Sequence, residues 1–385
     1  MKHLRLLGLG VAAALVLLPC GYAELQNVQV GGELQIRAIY WHNAFNQTVA
    51  PALVEPEVRW PGFFLPRRPI GDVIGGQSVT SFWDWDSRDS DFEVIEQRTR
   101  LNVNAEFTNE VRAFIELESY DVWGEDFRSN YVSGADGRAV STDDVEVYQA
   151  YIEANDMFGM PVRMRIGRQE LVLGSGWLVG NNQSHPEFPG LSFDAARFTY
   201  ATDQFSVDSF YALLAEGGIA EQDGDIELVG LYGSYTGLEN ISIDAYWLWL
   251  RDARSLNDTN FVAPIEWLED VFSIDDYDVT SLHTVGLRAA GTIGALDFEA
   301  EAAYQFGDAG QVGFLFKPFT YGDDDAEFDA WAGTLELGYT LDIAWTPRLY
   351  FGGAYFQGED NRDLTFIEWA NPFYRPEASV SFNRL

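Results

Sequence analysis

This chain is short of bases, nearly free of cysteine and has no long apolar run after its first two dozen residues. Lys and Arg number 24 against 60 Asp and Glu, giving a formal net charge of −36 at pH 7. That balance repels phosphate backbones, so nucleic acid is excluded as an expected partner. Cysteine occurs once, at Cys20. It falls in the leader described below, which excludes disulfides, iron–sulfur clusters and thiol catalysis within one mature chain. No stretch after residue 23 is long and apolar enough for a transmembrane helix. The Asp-x-Asp-x-Asp-Gly pattern of a calcium loop and the Gly-x-Ser-x-Gly frame of a nucleophile elbow are both missing.

What is present begins with the leader. Lys2, His3 and Arg5 precede an apolar run, Leu6 to Leu18, that is too short to span a bilayer. Gly21-Tyr22-Ala23 supplies small residues at −3 and −1, so residues 1–23 are expected to be a signal peptide and 24–385 the mature unit. Pro19 before Cys20 departs from a lipoprotein box. Aromatics make up 15% of the chain and glycines number 36, as interfacial girdles and bending strands require.

Connections then alternate strictly in length. Thr108-Asn109, Ala201–Gln204, Leu238–Asn240 and Ile293-Gly294 are tight polar turns, whereas 46–90, 121–144, 172–190, 252–277 and 308–325 are long. An up-and-down sheet with one short-turned rim and one long-looped rim is the pattern of a transmembrane antiparallel β-barrel. A soluble solenoid or sandwich would alternate too, but has no reason to segregate its connections. Strands are expected near 27–44, 91–107, 110–120, 145–155, 161–171, 191–201, 204–215, 225–236, 240–251, 279–293, 295–306, 327–341 and 346–357, with a fourteenth beginning near Ser379. With a periplasmic N-terminus the long loops are extracellular.

Within these segments period-two alternation separates two faces. Thr99, Leu101, Val103, Ala105 and Phe107 oppose Arg98, Arg100, Asn102, Asn104 and Glu106. Val111, Ala113, Ile115 and Leu117 oppose Arg112, Phe114, Glu116 and Glu118, and Val162, Met164 and Ile166 oppose Arg163 and Arg165. In a membrane barrel the apolar set faces lipid and the charged set faces the lumen. Candidate pore-lining residues are therefore Arg98, Arg100, Arg112, Glu116, Arg163 and Arg165, joined by Arg168, Asp194, Arg197 and Arg288. Arg168 and Asp194 break parity with that set, which implies a bulge or a strand tip beyond the hydrocarbon. Guanidinium groups suit bidentate recognition of carboxylate or phosphate. The competing explanation is structural: Arg98, Arg100, Arg112 and Arg197 pairing across strands with Glu96, Glu116, Glu118 and Asp194.

Asp84, Asp86, Asp89, Asp91, Asp143, Asp144, Asp275, Asp276, Asp278 and Asp323–Asp325 crowd into predicted loops. A solvated, repulsive rim explains them, and loop calcium is the alternative; no other cofactor or metal is expected. For a hydrolase, His42, His185 and His283 with Ser175, Ser184 and Ser192 are the available partners, but no frame holds them together.

Gly167-Arg168-Gln169-Glu170-Leu171, a loop with Gly174 and Gly176, and Phe193-Asp194-Ala195-Ala196-Arg197 resemble the alginate-export family of outer-membrane proteins. Arg98-Thr99-Arg100-Leu101 and Tyr148-Gln149-Ala150-Tyr151 resemble it too. The resemblance implies a porin-like barrel of about eighteen strands, whose last strands would lie beyond Leu385. It implies an outer-membrane channel whose arginine-lined constriction passes an anionic polyuronate, with outer-membrane lipid, the barrel assembly machinery and a polar or anionic saccharide as partners. A non-conducting scaffold for a partner protein is the alternative.

Overall fold

The computed structural model describes residues 24–41, 92–107, 110–123, 145–181, 189–216, 225–253, 279–308, 326–358 and 378–383, with six short pieces of the connections between 46 and 136. One sheet carries thirteen antiparallel strands in chain order. They are β1 (Leu25–Trp41), β2 (Phe92–Phe107), β3 (Val111–Val122), β4 (Val145–Ala154), β5 (Val162–Gln169), β6 (Phe193–Ala201) and β7 (Phe205–Ala215). They continue as β8 (Ile226–Leu238), β9 (Ile241–Asp252), β10 (Thr280–Ile293), β11 (Leu296–Asp308), β12 (Ala326–Thr340) and β13 (Arg348–Phe356). Each agrees with its predicted segment to within a few residues. The Thr108-Asn109 turn, the leader and the acidic loop residues other than Asp84, which ends the short strand Thr80–Asp84, lie outside the described residues.

The strand expected near Ser379 differs. β14 (Ala378–Val380) does not extend the up-and-down path; it pairs in parallel with Ala326–Phe328 of β12. The reason is a vacancy. β13 leaves β12 at the Ala332–Phe356 pair, so the edge of β12 beyond it is open, and β14 fills it. Among the described residues no ladder joins β1 to β13.

Side chains sort by parity as the alternation requires. Val30, Leu34, Leu101, Ile115, Ile152, Leu231, Ile243, Leu287, Leu335 and Leu349 all point outward and are exposed. Burying such a face in hydrocarbon is the stable arrangement for a sheet whose opposite face is charged. Aromatic side chains bracket this face. Towards the long-loop rim stand Trp249, stacked on His283 at 5.9 Å, then Phe306, Tyr304, and Trp331 against Tyr355 at 4.5 Å. Towards the short-turn rim stand Tyr200 with Phe205, Tyr235 and Tyr339. Tyr304 and Leu296, which faces Tyr339, are eight residues apart on β11. That is about 27 Å along a strand, or about 20 Å across the membrane at a tilt near 40°.

Just beyond the upper aromatics one row of the ladder turns polar. Arg168, Asp194, Leu213, Glu227, Arg251, Ser281, Asp308 and Glu327 are register partners from β5 to β12. The next row down is Ile166, Ala196, Tyr211, Val229, Trp249, His283, Phe306 and Asp329, almost all of it apolar or aromatic.

Candidate functional site

The inner face carries the charges, and register decides their partners. Arg98 meets Glu33 and Gln35 of β1, each at 2.9 Å, because β1 runs opposite it. Glu96 pairs with Arg37 of β1 at 2.6 Å. Arg100 bonds Glu118 and lies 3.8 Å from Glu116, as the hairpin predicts. Arg112 reaches Glu153 of β4 at 2.9 Å. Arg197 chelates Asp208 of β7 through two bonds of 3.0 and 2.8 Å. Arg288 bridges Asp244 at 2.6 Å and Glu299 at 2.8 Å.

Two members of the expected lining are misplaced. Arg168 and Asp194 form a two-bond ion pair, 2.9 and 3.0 Å, on the outer face. No register shift separates Arg165 from Arg168 in either ladder, so three residues of spacing must turn Arg168 to the opposite side. Asp194, three residues from Arg197, follows the same parity. The pair belongs to the polar row above the aromatic belt, and the pore wall loses both residues.

One part of the wall holds an excess of positive charge. Glu153 is shared by Arg112 and by Arg165, the latter at 2.6 Å. Arg197 has Asp208, whereas Arg163 donates only to the Thr199 hydroxyl at 3.3 Å. Of these four guanidiniums on β3, β5 and β6, three are within ion-pair distance of the two carboxylates Glu153 and Asp208, and Arg163 among the described residues is within ion-pair distance of neither. Phe114 and Tyr151 stack beside them at 5.2 Å, and Arg165 lies over the Tyr151 ring at 4.3 Å. At the adjoining short-turn rim, hydrogen bonding with Asp156 holds the Glu110 carboxyl above its ordinary value. Elsewhere acid dominates: around Arg288 stand Asp244, Glu299 and Glu301.

The feature that sequence reasoning missed is the connection from β5 to β6. β5 ends at Gln169, and Leu171, Leu173, Leu178 and Val179 turn inward onto the lumenal face. There they pack with Phe193, Phe210, Leu228, Tyr246, Leu248, Ala303 and Ala330, which belong to β6 through β12. Trp177 reaches β13, its ring tilted against Phe356 at 5.7 Å and stacked on Phe382 at 6.2 Å. From β5 to β13 along the wall is eight strand spacings, about 38 Å. The eight residues from Gln169 to Trp177 span at most about 28 Å. The segment therefore cuts across the lumen as a chord. Gly174, at φ +58°, turns it against Arg288 and the Tyr232 hydroxyl, where a Cβ would be 2.8 and 2.9 Å from them. Both ends are tied to the wall. Tyr148 donates to Glu170 at 2.6 Å, and Arg100 donates to the Pro189 carbonyl at 2.8 Å. Gly190, at φ +92°, lets that second tie close, since a Cβ there would crowd Arg100 and Tyr148. A signal was available: residues 171–186 contain no Asp, Glu, Lys or Arg, unlike the other long connections.

The model of the alginate export family matches residues 86–379, more than three quarters of the sequence. The chain belongs to the alginate export family. Among solved structures it is similar to OccK8 (OprE) of Pseudomonas aeruginosa, at 16% identity and a TM-score of 0.38. That similarity covers 66% of this chain and 61% of that one, so the chain spans less than two thirds of its length. A porin refined at 1.8 Å is similar at 11% identity, with 85% and 99% of the two chains covered and a TM-score of 0.31. A triple mutant of Rhodopseudomonas blastica porin is similar at 12% identity, with 86% and 94% covered and a TM-score of 0.28. No curated protein matches the sequence. Scores this low leave the family assignment to the sequence match and the fold to the sheet itself. As an alginate export family member with a lipid-facing sheet, the protein is an outer-membrane β-barrel protein. Of the hydrolase candidates, His283 faces outward among Trp247, Trp249 and Phe306, and Ser175 sits in the in-folded segment. His42, Ser184 and His185 lie outside the described residues.

Proposed function

We propose that the mature chain, starting at Glu24, forms an outer-membrane channel with its N-terminus in the periplasm. Its solutes are polar and anionic, of the polyuronate-like saccharide class. The observation that carries the solute class is the patch in which Arg112, Arg165 and Arg197 pair with Glu153 and Asp208 while Arg163 beside them bonds the Thr199 hydroxyl. The total charge of the protein does not decide the matter. Loop carboxylates farther away than about 8 Å are screened at physiological salt, while wall charges act on a solute in contact with them. The family's name supports the same class.

The test is the reversal potential of the Arg163→Ser, Arg165→Ser double variant in a planar bilayer. Each charge removed is worth about 0.5 kcal/mol on an ion about 8 Å away in water, or about 0.2 kcal/mol once screened, and acts with opposite sign on anion and cation, so the anion-to-cation permeability ratio is expected to fall roughly fourfold for the two. Arg100 is left intact because it ties the in-folded segment. An unchanged ratio would assign these arginines to holding strands together. Orientation has its own check: protease added to intact cells is expected to cut within 46–90 or 308–325. Cuts confined to the 201–204 and 293–294 turns would invert the topology.

The second reading, a non-conducting scaffold, draws on the chord of apolar residues across the lumen. Absence of unitary current from the full-length gene product under every condition would favour it.

A further inference from the structure

Residues 378–383 are held mainly through their main chain. β14 pairs in parallel with Ala326–Phe328, whereas every other ladder among the described residues is antiparallel. Past β14 the chain turns inward. The Phe382 amide donates to the Gln357 carbonyl at 2.9 Å. The Asn383 amide donates to Gln305 Oε1 at 2.8 Å, and Gln305 Nε2 donates to the Asn383 carbonyl at 2.7 Å. Gln305 is fully buried on the inner face of β11 and is steadied by the Thr284 hydroxyl at 3.2 Å. Its carboxamide offers one donor and one acceptor, as the backbone of a neighbouring strand would. A single side chain adds selectivity. Phe382 is buried in the lumenal cluster with Ala330 and Ala332, its ring 5.9 Å from that of Phe356.

These main-chain bonds are indifferent to the side chains of the residues that supply them. Sheets accept foreign strands in this way: the ladder gives affinity, and pockets for alternate side chains give specificity. The resident segment is joined to β13 through a connection of about twenty residues. Tethering through a linker sets an effective concentration on the order of mM, which a partner of micromolar affinity outcompetes.

We propose that the open edge of β12, Gln305 and the Phe382 pocket form a peptide-binding groove that residues 378–383 fill in cis. Its ligand is an extended segment of a partner protein, with an aromatic side chain two residues past the paired stretch. The groove lies at the long-loop rim, since Ala326 begins β12 directly after the 308–325 connection. The partner therefore arrives from outside the cell, a clause that rests on the orientation proposed above.

The probe is a dye-labelled peptide, Ala-Ser-Val-Ser-Phe-Asn, copying residues 378–383. Fluorescence anisotropy measures its binding to the full chain in detergent micelles. Phe382→Ala empties the pocket in cis, and the peptide is expected to bind that variant about tenfold more tightly than the wild type. Asn383→Pro removes the amide that Gln305 accepts and is expected to act in the same direction, so either variant serves if the other fails to assemble. Adding Gln305→Ala, or replacing the peptide's phenylalanine by alanine, is expected to weaken binding about tenfold or more. No binding to either variant, or binding that withstands both of these changes, would make residues 378–383 a fixed part of the wall and overturn the groove. The side of entry is read separately. The peptide, coupled to a protein too large to cross the membrane, is expected to label intact cells carrying Phe382→Ala. Labelling only after the outer membrane is opened would keep the groove and overturn the orientation.

Discussion

Glutamine in place of Glu153 is expected to destabilise the sheet by about 3 kcal/mol while making the channel more anion-selective. Glu153 is 3% exposed and is the common partner of Arg112 and Arg165. Its amide would leave two guanidiniums facing each other without an anion. The figure is at the low end for a broken buried pair, because the Arg112 side chain keeps 35% of its surface in water. Denaturant unfolding in detergent micelles measures the first effect and reversal potential the second. A variant as stable as the wild type would mean that these pairs are solvated contacts of no structural weight. A more stable but less anion-selective protein would contradict the placement of both arginines on the lumenal wall.

Arginine at Leu287 should cost about 2–4 kcal/mol, the range for a cation on the lipid face near the bilayer midplane. Leu287 lies midway down β10 and is 64% exposed on the outer face, between Ala245 and Ala302. Arginine at Thr334 provides the contrast. Thr334 faces inward beside Glu301, a carboxylate that Tyr246 bonds and no arginine reaches within ion-pair distance among the described residues. That variant is expected to assemble with little or no loss. Heat-modifiable electrophoretic mobility and unfolding in lipid vesicles distinguish the two. A larger cost at Thr334 than at Leu287 would mean that the two faces of β10 and β12 have been exchanged, and equal costs that neither position lies against hydrocarbon.

Strand number, order and bounds were legible because each rests on local chemistry. Alternation at 99–107, 111–117 and 296–302 names the faces, and polar turns at 202–204 and 239–240 name the rim. Hairpin partners were legible for the same reason, as with Arg100 and Glu118. Pairs across a long connection were not. Nothing in the sequence aligns Arg112 with Glu153, because the register of β3 on β4 is set by packing and by a bulge between Val147 and Gln149. Arg197 illustrates the cost of counting nearness in sequence. Asp194 is three residues away and on the wrong face, while Asp208, eleven away, is directly in reach. The in-folded segment was obscured by its length: a connection of more than twenty residues reads as an outer loop unless its lack of charge is weighed. The third and last lesson is parity itself, which had already set Arg168 apart from Arg165 before any register was known.

The polar row from Arg168 to Glu327 also fixes where the protein floats. Moved inward by two residues along tilted strands, about 5 Å of depth, it would drown the Arg168–Asp194 and Glu227–Arg251 pairs in hydrocarbon. Moved outward by the same amount, Trp249, Phe306 and Trp331 would leave the headgroup layer for open water. Both displacements raise the free energy, so the row and the rings beneath it act as a spring with one resting height. The Trp177 contact, anchored to the same strands, is thereby held at a constant depth however the bilayer undulates.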